Sequence, residues 1–227
     1  MTFVHASDVP VKLAKKVGVL IKLYCPDTLA MHVGLAFETG GITRMAHLAS
    51  HEALLCSPLR EEKGYAWADC GWLQDPDYAS SAEYIALFIK ASLRNDKVPY
   101  GLDPDLDSFA SQEFVARDPI QGLTCATYIA AVLRGAGIEV VDIATWRHRP
   151  EDDAWSEAVL EELQRRAPLR AAELAGQRAR FRVRPDEMAF AVAEMSVPVS
   201  FDQAVAGATG VRAILLAGPL ERMSPSV

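Results

Sequence analysis

Short apolar runs broken by turn residues dominate the first third of the chain, and helical spacing takes over after about residue 80. Residues 17–24 (VGVLIKLY) are β-branched and apolar and stop at the turn Cys25-Pro26-Asp27, which predicts a strand. Runs at 32–39 (HVGLAFET) and 42–48 (ITRMAHL) flank Gly40-Gly41. A two-residue loop of this kind needs positive φ, which glycine adopts at little steric cost, so the pair reads as a tight hairpin. Shorter extended runs at 53–56 and 65–72 make the region an antiparallel meander. From Ser80 and Ser81 the pattern becomes helical, with Tyr84, Ile85, Phe88, Ile89 and Leu93 in phase and an end near Asn95. After a turn-rich loop at 99–107, a second helix begins near Thr124. It carries Cys125, Tyr128, Ile129, Val132, Leu133 and Ala136 on one face and stops at Gly135 and Gly137. Residues 138–143 return to a β-like composition. Pro150 to about Ala179 is a charged helical stretch with Trp155, Val159, Leu160 and Leu163 as its apolar stripe, Pro185 opens a further helix, and 211–216 read as a closing strand. Strands first and helices after predict an α+β fold.

At 227 residues the chain suits one substantial core with an appendage. Residues 1–145 read as the core, and 146–227 as a helical extension, with the possible closing strand, packed on it. Half of the residues are hydrophobic and 23% are charged, the balance of an ordinary folded protein. A net charge of −7 lacks the basic footprint of a phosphate-backbone binder, so nucleic acid is not an expected partner. Cys25, Cys56, Cys70 and Cys125 form no CxxC pair or compact disulfide framework, which predicts reduced thiols. No apolar run approaches the roughly 18 residues needed to cross a bilayer, and the N-terminus lacks the layout of a signal peptide. The expectation is a cytoplasmic chain with no stable membrane insertion; the oligomeric state stays open.

Cys125 stands in the first turn of an amphipathic helix, where unpaired backbone N–H groups and the helix dipole favour a thiolate. It also shares a face with Tyr128, Ile129 and Val132, and a free cysteine is often a small buried hydrophobe. The histidines bear on the choice. If Gly40-Gly41 is the loop, opposed residues sum to 81, so His32 faces Ala49 and His47 lies two residues along on the same side. Both imidazoles then address one site. A Cys–His pair becomes a triad when a third group holds the base in one tautomer, and His47, His51 or Glu52 can be that group. A zinc site from His32, His47, His51 and a cysteine lacks any HExxH or CxxC pair. Asp103, Asp105 and Asp107 lack the glycine and glutamate of a calcium loop, so no metal site is expected.

His32-Val-Gly-Leu-Ala-Phe, a glycine turn, Met45-Ala-His-Leu-Ala49 and, far downstream, a cysteine opening a helix together resemble the circularly permuted branch of the NlpC/P60 papain-like superfamily. This branch includes the lecithin:retinol acyltransferase-like and phospholipase A/acyltransferase-like proteins. Residues 124–138 (TCATYIAAVLRGAGI) are similar to the superfamily's nucleophile helix. The resemblance covers about residues 17–140. It implies a papain-like fold for residues 1–145, an antiparallel sheet with the nucleophile helix packed on it. It further implies Cys125 as nucleophile, His32 as general base, His47 as the residue orienting it, and acyl transfer through a thioester without metal or organic cofactor. The acyltransferase-like members carry Asn before the cysteine and an acidic residue after it, where this chain has Thr124 and Ala126. The expected activity is therefore a thiol hydrolase on an amide, peptide or other small-molecule substrate. The alternatives are a lipid or thioester acyltransferase or phospholipase of the same superfamily, and a non-catalytic binding module that keeps the fold. The helical stretch after Glu151 is expected to form one wall of the substrate groove.

Overall fold

The computed structural model describes residues 2–6, 11–59 and 64–218. Six strands form one antiparallel sheet: β1 (Val4–His5), β2 (Val17–Cys25), β3 (Ala30–Thr39), β4 (Ile42–Ser50), β5 (Ala53–Pro58) and β6 (Ala66–Asp69), in the order β1-β6-β2-β3-β4-β5. The β3–β4 turn is the two-residue hairpin expected, with Thr39 opposite Ile42 and φ of 60° and 72° at Gly40 and Gly41. The meander holds for β2 to β5, but β6 returns to pair with β2 instead of continuing beside β5. β2 is buried on both faces from Val17 to Ile21. A strand of that kind is central and needs a neighbour on each side, and β6 supplies the second.

Among the described residues, seven α-helices follow: α1 (Pro76–Ala79), α2 (Ala82–Ser92), α3 (Cys125–Gly135), α4 (Pro150–Arg166), α5 (Pro168–Glu173), α6 (Pro185–Ala193) and α7 (Phe201–Ala217). Pro168 separates α4 from α5, because it offers no N–H to continue the helix before it. Alternation gives the sheet two distinct faces. Val17, Val19, Ile21, Val33, Leu35, Phe37, Ala46 and Leu48 enter the main core with the residues of α2, α3 and α6. Leu20, Ala36, Met45 and Trp67 build a smaller cluster on the other side. All four cysteines are free.

One expectation about the C-terminal part is corrected. Residues 211–216 are not a closing strand but lie inside α7, where Ala204, Ala208, Val211 and Leu215 are buried at helical spacing. The run is rich in Val, Ile and Leu, which fits a strand locally, but the buried positions repeat with the helical period. Trp146, Val183, Met188, Val199, Phe201 and Leu215 belong to the same core as the sheet, and α6 lies against β2, β3 and α3. Residues 138–143 form no strand of the sheet and contribute the isolated parallel bridge Val141–Val199.

Candidate active site

The site begins with the start of α3. Thr124 caps the helix: its Oγ1 accepts the Thr127 N–H at 3.2 Å, while Thr127 Oγ1 accepts the Thr124 N–H at 2.7 Å. This reciprocal pair uses the third N–H of the helix and leaves the first two, those of Cys125 and Ala126, without intrahelical partners. Both reach the Cys125 sulfur, as does the N–H of Val33.

The position of Val33 explains the contact. Glu38 N–H donates to Lys16 O at 2.8 Å, so even-numbered residues of β3 turn their N–H groups toward β2 and odd-numbered ones toward β4. The β3–β4 ladder runs from Thr39/Ile42 only to Leu35/Ala46. Val33 N–H therefore faces β4 beyond the last ladder pair, and the Cys125 thiol occupies this seam.

His32 and His47 span the same seam. They share a face, as the parity of the hairpin requires, and His32 Nε2 lies 2.6 Å from His47 Nδ1. The rings meet edge-on with centroids 4.8 Å apart. Gly34, between His32 and Ala36, makes room: a Cβ there would stand 2.4 Å from Met45 Cε and 3.0 Å from His47 Cβ. The two imidazoles belong to the sheet face opposite the helix layer, whereas the thiol comes from the helix side. The structure thus brings Cys125 to within one residue of His32 along β3, but among the described residues no hydrogen bond joins the thiol to the imidazole.

Burial sets the protonation of both partners. It lowers His32 to about 3, with the neighbouring His47 charge acting in the same direction. Burial also pushes the Cys125 thiol up, outweighing the N–H groups of Val33, Ala126 and Cys125 itself and the Arg182 guanidinium, all of which favour the thiolate. The expectation of a depressed thiol is corrected here: Cys125 is only 7% exposed, and desolvation exceeds the helix-terminus effect.

His51 and Glu52, the other candidates for orienting His32, sit elsewhere. His51 Nδ1 accepts the Tyr100 N–H at 3.2 Å, and both residues line a groove of about 780 Å³ with Tyr100, Val159, Leu163 and Arg166. The α4–α5 pair thus forms one side of a groove that starts at Tyr100. Sequence reading missed Tyr100 and Arg182, both electrostatically coupled to the thiol. Tyr100 is held there because Leu123 N–H donates to Pro99 O at 2.9 Å and Gly101 N–H to Leu123 O at 3.3 Å. Neither residue has a local signal, since long-range packing alone brings it to α3. No family model, curated protein or solved structure matches the chain.

Proposed function

We propose that the protein is a cysteine hydrolase with a papain-like fold, cleaving an amide or peptide bond by acyl transfer through a thioester. The observation that carries this reading is the His32–His47 bond in the seam that holds Cys125. With Nε2 engaged by His47, Nδ1 is the nitrogen of His32 left to act as base, and since the thiol and the imidazoles stand on opposite faces of the sheet, the ring has to come across the β3–β4 seam to reach the sulfur. In the tautomer where Nε2–H donates to His47, Nδ1 keeps its lone pair and takes the Cys125 proton as the sulfur attacks the carbonyl carbon. The carbonyl oxygen becomes an oxyanion, for which the Cys125 and Ala126 N–H groups are the donors. His32 then passes the proton to the leaving amine, and water releases the acyl group from sulfur by the same route. With the thiol raised and His32 lowered, the resting pair is neutral, so the proton moves during attack. The order His32, His47, Cys125 along the chain matches the permuted NlpC/P60 pattern it resembles, and the groove beyond Tyr100 takes the substrate.

The burial of Cys125 in the main core favours a second reading, a binding module in which the thiol only packs. One experiment separates the two. The intact chain is mixed with p-nitrophenyl acetate, the burst of nitrophenolate is followed, and the acetylated peptide is located by mass spectrometry. The hydrolase reading expects acetyl on Cys125 and a burst rate that falls about 100-fold or more in His32→Gln. No acetyl on Cys125, or a burst indifferent to His32, leaves the module.

A further inference from the structure

Three arginines gather where the segment after α5 meets α4. Arg149 is paired with Glu187 and, at 3.5 Å, with Asp152, and its Nη2 donates to the Arg182 carbonyl at 2.7 Å. Arg184 is paired with Glu151 at 2.6 Å. Arg182, which is half-buried, has no carboxylate partner within ion-pair distance among the described residues; Asp152 is the carboxylate that acts on it most strongly and is already engaged by Arg149. Its guanidinium instead stacks on the ring of Trp155, 4.6 Å from the centroid. A stacked guanidinium is fixed by its face while its in-plane N–H groups stay available, the geometry that suits a planar carboxylate. Arg182 and Trp155 line a cavity of about 10 Å³, room for one water, with Gly101, Thr124 and Thr127 at the start of the Cys125 helix, so a carboxylate has to meet the guanidinium from its solvent side.

We propose that Arg182, braced by Trp155, is a specificity residue that binds a carboxylate of the substrate next to Cys125. The proposal rests on Cys125 as the reacting group and narrows the substrate class to acidic amides or peptides. A half-buried cation without a counter-ion is costly to desolvate, and an incoming carboxylate offsets that cost. The chain as a whole carries −7, so attraction of an anion to this point must come from the local guanidinium.

Two measurements on the full chain test it. In the first, Cys125 is alkylated by iodoacetate and by iodoacetamide, reagents of similar size that differ in charge, and the rate ratio is compared with that of N-acetylcysteine. The ratio is expected to be at least fivefold higher at Cys125, to fall to the free-thiol value in Arg182→Gln and to be partly kept in Arg182→Lys. The second is calorimetric titration with glutarate, its neutral diamide and inorganic phosphate, which needs no thiol chemistry. Glutarate binding that weakens tenfold or more in Arg182→Gln supports the site. Binding of phosphate in preference to glutarate overturns the carboxylate assignment, and glutarate binding that is absent or indifferent to Arg182 overturns the site. The acetyl burst fails by itself if Cys125 is no nucleophile, whereas the titration reads Arg182, so the two failures are distinguishable.

Discussion

His32 and His47 are within hydrogen-bond distance because strand parity puts them on one face, and that much follows from a two-residue loop and a period of two. What parity does not reveal is how dry the pair is, and dryness governs how the protein responds to pH. His32 in the folded chain titrates at about 3, below its ordinary value of 6.5. Between these values the unfolded chain binds a proton that the folded chain refuses, so stability is full above the unfolded value and falls as the pH drops from 6.5 toward 3. At 1.36 kcal/mol per unit, the loss is on the order of 3 kcal/mol by about pH 4. Urea midpoints at about pH 7 and pH 4 check this: the wild-type chain should lose clearly more than His32→Gln, which has nothing to protonate there. An equal loss in the two proteins would put the acid sensitivity elsewhere. The same dryness explains why the thiol is raised and not depressed. A helix start is visible in Thr124-Cys125, whereas the burial that raises the thiol is made by residues distant in the chain.

Single elements were legible where a local rule decided them. The hairpin followed from Gly40-Gly41, and the start of α3 from an apolar stripe that begins near Thr124. Residues 211–216 were not legible as helix, because six apolar-rich residues in isolation fit either period and only the burial of Ala204 and Ala208 upstream resolves the phase. The seam between β3 and β4 is a property of the pair of strands, and Gly34 is its most exacting position. Alanine there meets Met45 Cε at 2.4 Å, Ala46 O at 3.0 Å and His47 Cβ at 3.0 Å. The methionine can shift, but the backbone oxygen and the imidazole stem cannot do so without opening the sheet. Gly34→Ala is therefore expected to cost about 1–3 kcal/mol in urea unfolding and to displace His47 from His32. The acetyl burst should fall with it. A variant of unchanged stability and unchanged burst would mean that the seam adjusts freely. The cap offers a gentler probe: Thr124→Ala removes the acceptor of the Thr127 N–H and should cost about 1 kcal/mol, read from the same unfolding curves.

At the scale of the molecule, the region after residue 145 is charged and helical in composition, and long-range packing ties it to the core that carries the sheet. α6 is buried along nearly its whole length, and α7 contributes Phe201, Ala204, Val211 and Leu215 to the core that carries the sheet. A chain cut after Asp142 should accordingly fail to fold, judged by loss of the cooperative unfolding transition. The tie between this region and the site is more specific than shared core. Arg170 of α5 is 3% exposed, and its guanidinium donates to the carbonyls of Tyr100 at 2.9 Å, Pro119 at 2.6 Å, Ile120 at 3.0 Å and Gln121 at 2.8 Å, as well as to Glu173 at 2.9 Å. One planar fork thus holds the two loop segments that place Tyr100 beside Leu123 and so beside the start of α3. Lysine brings the same charge, but its three donors radiate from one nitrogen and do not reach carbonyls spread around a guanidinium. Arg170→Lys leaves several buried carbonyls without donors and should cost about 2–4 kcal/mol. Its local signature is faster hydrogen exchange at the Gly101 and Leu123 amides, which bond across the two segments. If Arg170→Lys exchanges these amides as slowly as the wild type once global stability is allowed for, the loops are held by their own backbone bonds and α5 does not position the site.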